Sequence, residues 1–170
     1  FTSTYSNLPG KSLCVMQGTT FQELIDCYVV FENLKINYVG VSFNCKAYDN
    51  YLPNIEDKLV RWKKARQDFV EFLALYNPLL RPKSLHLLGC ALPDEFKFYV
   101  EKGLDKLIIS LDTSNPVVHG LLNIKYSGSN GLSQKESIKL CDLMDSPYPS
   151  SEIYSTIIHN LDEFKRINLL

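Results

Sequence analysis

Apolar residues along this chain fall into short continuous runs and longer periodic stretches, and the two kinds alternate. SLCVMQG (12–18), YVGVSF (38–43), SLHLLGC (84–90) and KLIISLD (106–112) are runs of strand length, with small or polar residues entering toward the end of each. Over 20–34, Phe21, Leu24, Ile25, Tyr28, Val29 and Phe31 recur at helical spacing behind a candidate N-cap, Thr19 or Thr20. A polar loop with Asn50 and Pro53 leads into a longer helix, 54–76, whose apolar positions are Ile55, Leu59, Trp62, Phe69, Leu73 and Tyr76 and whose stop is Asn77-Pro78. PDEFKFYVEKG (93–103) predicts a short helix with Pro93 in its first turn and Gly103 as its end. The Gly-, Ser- and Asn-rich stretch 113–132 predicts irregular structure. Two further helices are expected at 133–145, where Ser133 and Glu136 form a capping box, and at 150–167, with DSPYPS between them.

Strand followed by helix, four times over, predicts an α/β fold with parallel strands buried on both faces. No fixed repeat and no low-complexity segment interrupts residues 1–170, so the pattern reads as one domain. The chain is 45% hydrophobic and 22% charged, which suits an ordinary globular core. A net charge of −1 supplies no overall field toward nucleic acid or membrane, so any such contact must come from a local patch. No apolar run approaches the roughly 18 residues of a membrane span. Cys14, Cys27, Cys45, Cys90 and Cys141 are widely spaced, without a C-x-x-C or Cys/His cluster, so no metal site within the chain is expected. Reduced thiols and a cytoplasmic location are the expectation. The chain begins FTSTYSN, without methionine, and reads as a piece of something longer.

In parallel α/β folds, functional groups gather at the carboxyl ends of strands. Here those ends offer Gln17-Gly18; Gly40, Ser42 and Asn44; His86, Leu88-Gly89 and Cys90; and Ser110, Asp112, Thr113 and Ser114. Glycines let a ligand approach the backbone, a glutamine amide suits a nucleobase edge, and a carboxylate can serve as nucleophile or base. Each also has a plainer reading: Gln17 as a solvated loop residue, Asp112 as the residue that ends a strand, His86 as a packed histidine. His119 and His159 carry no signal. No G-x-G-x-x-G or P-loop pattern is present, so a phosphate cradle of that type has no support in the sequence. Lys58, Arg61, Lys63, Lys64 and Arg66 on the long helix are either a solvated face or a contact to a phosphate backbone.

In order and spacing, CVMQG (14–18), YVGVSF (38–43), HLLGC (86–90) and EKGLDKLIISLD (101–112) resemble the second half of the tRNA-guanine transglycosylase barrel. The pattern LHLLG, P-x-E, G-L-D and SLDTSNPVVHG is closest to the phage and bacterial branch that inserts 7-deazaguanines into DNA, and the likeness covers residues 12–122. The resemblance implies a partial TIM-like (β/α) barrel of four parallel βα units plus C-terminal helices. It implies that guanine in DNA or tRNA is replaced by a 7-deazaguanine through a covalent aspartyl-sugar intermediate, with Asp112 as nucleophile. Gln17 and Gly18 would meet the base edge, Gly40 would offer backbone donors, and Leu88 and Gly89 would line the base pocket beside His86 and Ser110. Lys58, Arg61 and Lys64 would face the nucleic-acid backbone. The family's zinc motif has no counterpart here, so neither metal nor cofactor is expected. The family's other aspartates belong to the first half of the barrel, which no segment matches. The remaining half or a partner subunit is therefore expected, in a cytoplasm that for the phage branch is the host's. The alternatives are a non-catalytic half-barrel that binds nucleic acid or a partner subunit, and a phosphate-binding barrel with unrelated chemistry.

Overall fold

The computed structural model describes residues 12–43, 46–76, 84–128, 130–133, 135–136, 138, 140–143 and 149–168. The FTSTYSN start, Asn44, Cys45, the Asn77-Pro78 stop and residues 145–148 of the DSPYPS linker lie outside the described residues. The chain forms a mixed α/β fold that divides into two compact units: residues up to Gly89 with Leu104–Leu111, and Cys90–Gly103 with the residues from Asp112 onward.

The first unit is built on a four-stranded parallel sheet in consecutive order, β1 (Leu13–Val15), β2 (Tyr38–Ser42), β3 (Ser84–Leu88) and β4 (Ile108–Leu111). Alternation along each strand gives the sheet two unlike faces. Val39, Val41, Leu85 and Leu87 are fully buried and form the core with Leu24, Tyr28, Ala65, Phe69, Val70 and Leu73. The other face carries Val15, Gly40, Ser42, His86, Leu88 and Ser110, as the register pairs Val15 with Gly40, Gly40 with His86, Ser42 with Leu88 and His86 with Ser110. Burial on both faces, expected from the apolar runs, holds only in the middle of β2, where Val39, Gly40 and Val41 are all buried. Strand β3 buries only alternate positions, and Ile109 and Ser110 of β4 are exposed. The runs are also shorter than expected: Met16–Gly18, Gly89-Cys90 and Asp112 lie beyond the strands.

Helix α1 (Phe21–Asn33) is capped as its sequence predicts. Thr20 Oγ1 accepts the Glu23 N–H at 3.2 Å, and the Glu23 carboxylate accepts the Thr19 N–H at 2.6 Å and its hydroxyl at 2.8 Å. The polar loop after β2 contains a short helix, α2 (Lys46–Asp49), that the hydropathy pattern does not show. Helix α3 (Lys58–Tyr76) starts four residues later than its periodicity suggests. Asp57 Oδ1 accepts the N–H groups of Leu59 and Val60 at 2.8 and 3.0 Å, which places the cap there and leaves Ile55 in the preceding turn. Phe21 joins α1 to its surroundings by stacking on Tyr51 (4.5 Å) and meeting Phe69 edge-on (5.0 Å). A 3₁₀ turn, Asp105–Leu107, leads into β4.

The second unit holds α4 (Glu95–Glu101), α5 (Asn115–Leu121) and α6 (Ser151–Asn168). Helix α5 lies within the stretch expected to be irregular. It starts from Ser114 with Pro116 in its first turn, where a missing N–H is harmless. The helix expected over 133–145 is absent among the described residues, which show turns and a 3₁₀ segment, Leu140–Leu143. Ser133 sits in a turn there, and the preceding Leu132 carbonyl accepts the Asp94 N–H at 3.2 Å. Helices α5 and α6 meet at Gly120, where an added Cβ would lie 2.4 Å from Ile157 Cγ1 and 2.8 Å from its Cα. The contact exists because position 120 has no side chain. Gly120→Ala is expected to lower stability by about 1–3 kcal/mol through overpacking, read as a lower urea midpoint with an unchanged denaturant slope.

Candidate functional site

Chemistry-bearing side chains of the first unit meet on the second face of its sheet. Ser110 Oγ lies 2.7 Å from His86 Nδ1 across the β3–β4 ladder. The pair owes its register to an irregularity: Leu85 pairs with Ile108, but His86 pairs with Ser110, so Ile109 is an inserted bulge residue, 53% exposed. Bulges re-aim the side chain that comes after them, and here the effect is to turn Ser110 to the same face as His86. Gly40 and Leu88 share that face, but Gly40 has a packing role. Val15 Cγ2 and Leu88 Cδ1 would lie 3.1 and 3.0 Å from a Cβ at this position, and the Gly40 carbonyl accepts the Met16 N–H at 3.0 Å. Gly89 comes after β3 in a left-handed conformation, φ +65°, and is exposed. Gln17 is exposed beyond the end of β1, and Gly18 forms the turn into α1 against the Glu23 side chain.

Arg66 is the principal departure from the expected basic helix face. It is fully buried, not solvated. Its Nη1 donates to the carbonyls of Leu88 (2.7 Å) and Val41 (3.3 Å), and its guanidinium lies 4.9 Å from the centre of the Phe43 ring. The sequence held a signal for this: Arg66 lies four residues from Trp62 and four from Val70, inside the apolar stripe. The other cations of α3 have nearer surroundings than a phosphate backbone. Lys58 sits 4.4 Å over the Trp62 ring, Arg61 donates to the Ile55 carbonyl at 3.1 Å, and Lys64 pairs with Asp68 at 2.7 Å. Lys58 is exposed and Lys64 keeps a 45% exposed side chain.

Asp112 is the first residue past β4, belongs to the second unit and is exposed. Its backbone carbonyl accepts the Cys90 N–H at 2.7 Å, and Thr113 Oγ1 accepts the Asn115 N–H at 3.2 Å where α5 begins. Behind this turn the second unit buries a polar interior that the hydropathy pattern does not reveal. Asn115 donates its amide to the Ala91 carbonyl. Glu95 is fully buried and accepts the Tyr99 hydroxyl at 2.9 Å, with the Cys90 thiol 3.9 Å from its other oxygen. Asn160 receives the Tyr126 N–H at 2.8 Å and donates to the carbonyls of Ile124 (2.9 Å) and Pro116 (3.3 Å). His159 Nε2 donates to the Tyr126 carbonyl at 2.8 Å, and His119 Nδ1 lies 3.0 Å from the Tyr126 hydroxyl. Burial raises the Tyr126 hydroxyl far above its ordinary range, with the Cys90 sulfur adding to the effect, so the phenol stays protonated.

Among the described residues no group of three or more His, Cys, Asp or Glu could hold a metal ion, and no helix is long and apolar enough to cross a membrane. Cys14 and Cys27 are half-buried thiols, and Cys90 is buried. No family model, no curated protein and no solved structure matches the chain.

These environments predict two outcomes. Arg66→Met keeps much of the stem but removes charged donors from two carbonyls, and is expected to lower stability by about 2–4 kcal/mol, whereas Lys64→Met should change it by less than about 1 kcal/mol; urea unfolding of the two variants separates these values. The second concerns His119, whose imidazole burial holds below its ordinary range against a smaller opposing pull from Glu136. The unfolded chain therefore takes up a proton more readily, from about pH 6.5 downward, so this contribution to stability is complete above that pH and is lost as pH falls below it. Between pH 7 and 5.5 the urea midpoint of His119→Gln should fall less than that of the unsubstituted protein.

Proposed function

We propose that the chain is a transglycosylase-like base-exchange protein whose sheet is half of a TIM-like barrel. The observation that carries this reading is the consecutive parallel order of β1 to β4, with Gly40, His86, Leu88 and Ser110 on one face. A doubly wound sheet reverses its order at a switch point, whereas a barrel adds each strand beside the last. Closing an eight-stranded barrel takes further strands, supplied by the remaining half or by a partner subunit.

In this reading Asp112 is the nucleophile. Its carboxylate bonds to C1′ of the target nucleotide as the C1′–N9 bond to guanine breaks, and the departing N9 takes a proton from water. The N9 of the 7-deazaguanine then attacks C1′, gives up its proton to water and releases the carboxylate. An anion suits the oxocarbenium-like carbon of both steps. The target base must leave its stack first. Gln17 and Gly18 meet the edge of the base, and Leu88 and Gly89 flank it with His86 and Ser110. Lys58 and Lys64 face phosphates of DNA or tRNA. Arg61, held on the Ile55 carbonyl, contributes less. The setting is the cytoplasm, with no metal or cofactor in the reaction. The packing of Val15 and Leu88 over Gly40 favours the second reading, a non-catalytic half-barrel subunit that binds nucleic acid or a partner, because it leaves no approach to that backbone.

Incorporation of labelled guanine or 7-deazaguanine into DNA and into tRNA by the native protein tests the first reading. Asp112→Asn should lower exchange by more than about 10³-fold and abolish the denaturant-resistant protein–nucleic acid adduct. Unchanged exchange in Asp112→Asn removes Asp112 as nucleophile. Nucleic-acid binding with no exchange by the unsubstituted protein leaves the non-catalytic reading in its place.

A further inference from the structure

We infer that Ser110 and His86 form a nucleophile–base pair able to take up an acyl group, at a site on the first unit's sheet that does not depend on the base-exchange reading. Three observations converge on it. The hydroxyl and the imidazole lie 2.7 Å apart, within the distance at which a base can accept the serine proton. Ser110 is exposed, so a reagent can reach it. The pairing is also built, not incidental to a regular ladder. Were Ile109 paired in a regular ladder instead of bulged, it would lie opposite His86, and Ser110 would lie opposite Leu87, on the buried face.

The neighbours define the class of substrate. Val15, Gly40 and Leu88 share this face and are apolar or without a side chain, and Ser42 adds only a neutral hydroxyl. None of these carries charge, so the site suits a small neutral carboxylic ester better than an anion. In the tautomer protonated at Nε2, His86 Nδ1 accepts the Ser110 hydroxyl proton. Ser110 Oγ then bonds to the ester carbonyl carbon, the carbon–alkoxide bond breaks, and the proton passes from Nδ1 to the departing oxygen. Water reverses the roles: it loses a proton to Nδ1, attacks the acyl-serine, and releases the carboxylic acid and the free hydroxyl.

The test uses an alkyl fluorophosphonate and p-nitrophenyl acetate on the intact protein. With the first, the Ser110 oxygen–phosphorus bond forms as fluoride leaves, giving one adduct by intact mass that peptide mapping places on Ser110. With the second, a burst of about one equivalent of p-nitrophenolate is expected. Ser110→Ala should lose both signals and His86→Gln should slow labelling by ~10²-fold or more, while Ser155→Ala, on the exposed side of α6, should label as the unsubstituted protein does. Far-UV circular dichroism of each variant guards against loss of fold, and Ser110→Cys provides a second nucleophile whose acylation should again depend on His86. An adduct on another residue, no adduct at all, or equal labelling in His86→Gln overturns the inference. Because the probes contain no nucleoside, failure here is distinct from failure of base exchange, which Asp112→Asn reads.

Discussion

The first unit depends on a charge placed where charge is rare. Strands β2 and β3 end side by side, and the carbonyls of Val41 and Leu88 lie at those ends within reach of α3. Arg66 meets them there, donating to Val41 and Leu88 while the Phe43 ring covers its guanidinium. Phe43 also donates its N–H to the Leu88 carbonyl at 2.9 Å, so one oxygen holds both the chain leaving β2 and the side chain from α3. Burial of an ion is unfavourable unless its donors are used. Once they are used, sliding α3 along the sheet would strand a buried cation. The interaction thus acts more on the placement of α3 than on net stability. It also fixes the carbonyl just before Gly89, whose backbone is left-handed.

The second unit meets a similar demand with neutral groups. Helix α6 buries Thr156, Asn160, Phe164 and Asn168, positions four apart that form one stripe along the helix. Three of these four are polar, the reverse of an ordinary amphipathic helix. The reason is what lies opposite: besides α5, the irregular stretch 124–126 and the turn at Pro93 present carbonyl and N–H groups that no helix or strand satisfies. Asn160 serves three of them, and Asn168 donates to the Pro93 carbonyl at 3.1 Å and to that of Phe164. A carboxamide both donates and accepts without the desolvation penalty of an ion, so it can match a loop whose polar groups alternate in kind. Leucine at position 160 would fill the space and leave the Tyr126 N–H and the Ile124 carbonyl without their Asn160 partners.

These two solutions explain how much the sequence discloses. Strands β2, β3 and β4 are legible as short apolar runs, helices α1, α3 and α6 by helical spacing or length, and α4 by Pro93 before it and Gly103 after it. Thr20 and Glu23 cap α1, with the Glu23 carboxylate reaching back to the Thr19 N–H and hydroxyl; Ser133 with Glu136 fits the same pattern and opens no helix among the described residues. Helix α5 is hidden because S-N-P reads as a loop and its buried residues include Asn115, His119 and Gly120. Arg66 is legible by its place in the apolar stripe but masked by its basic neighbours. Glycine at 40 suggests a ligand's approach, yet the side chains of Val15 and Leu88 account for it. A missing side chain in a sequence cannot say whether ligand or protein fills the gap.

The least legible feature is the one that brings reactive groups together. Alternation alone assigns His86 to one face of β3, and the length of IISL gives Ser110 no fixed partner. Only the inserted Ile109 settles it, and an insertion relative to a neighbouring strand has no signature in either strand taken alone. Regular pairing propagates the register already set at Leu85 and Ile108. The bulge resets it for the last residues of β4, and the cost is visible as an exposed isoleucine in the edge strand. Ser110 and Leu111 are therefore positioned independently of Ile108. That independence lets Leu85 and Ile108 pack as core while two residues later a hydroxyl faces an imidazole. A regular ladder would have made those two requirements compete for one register.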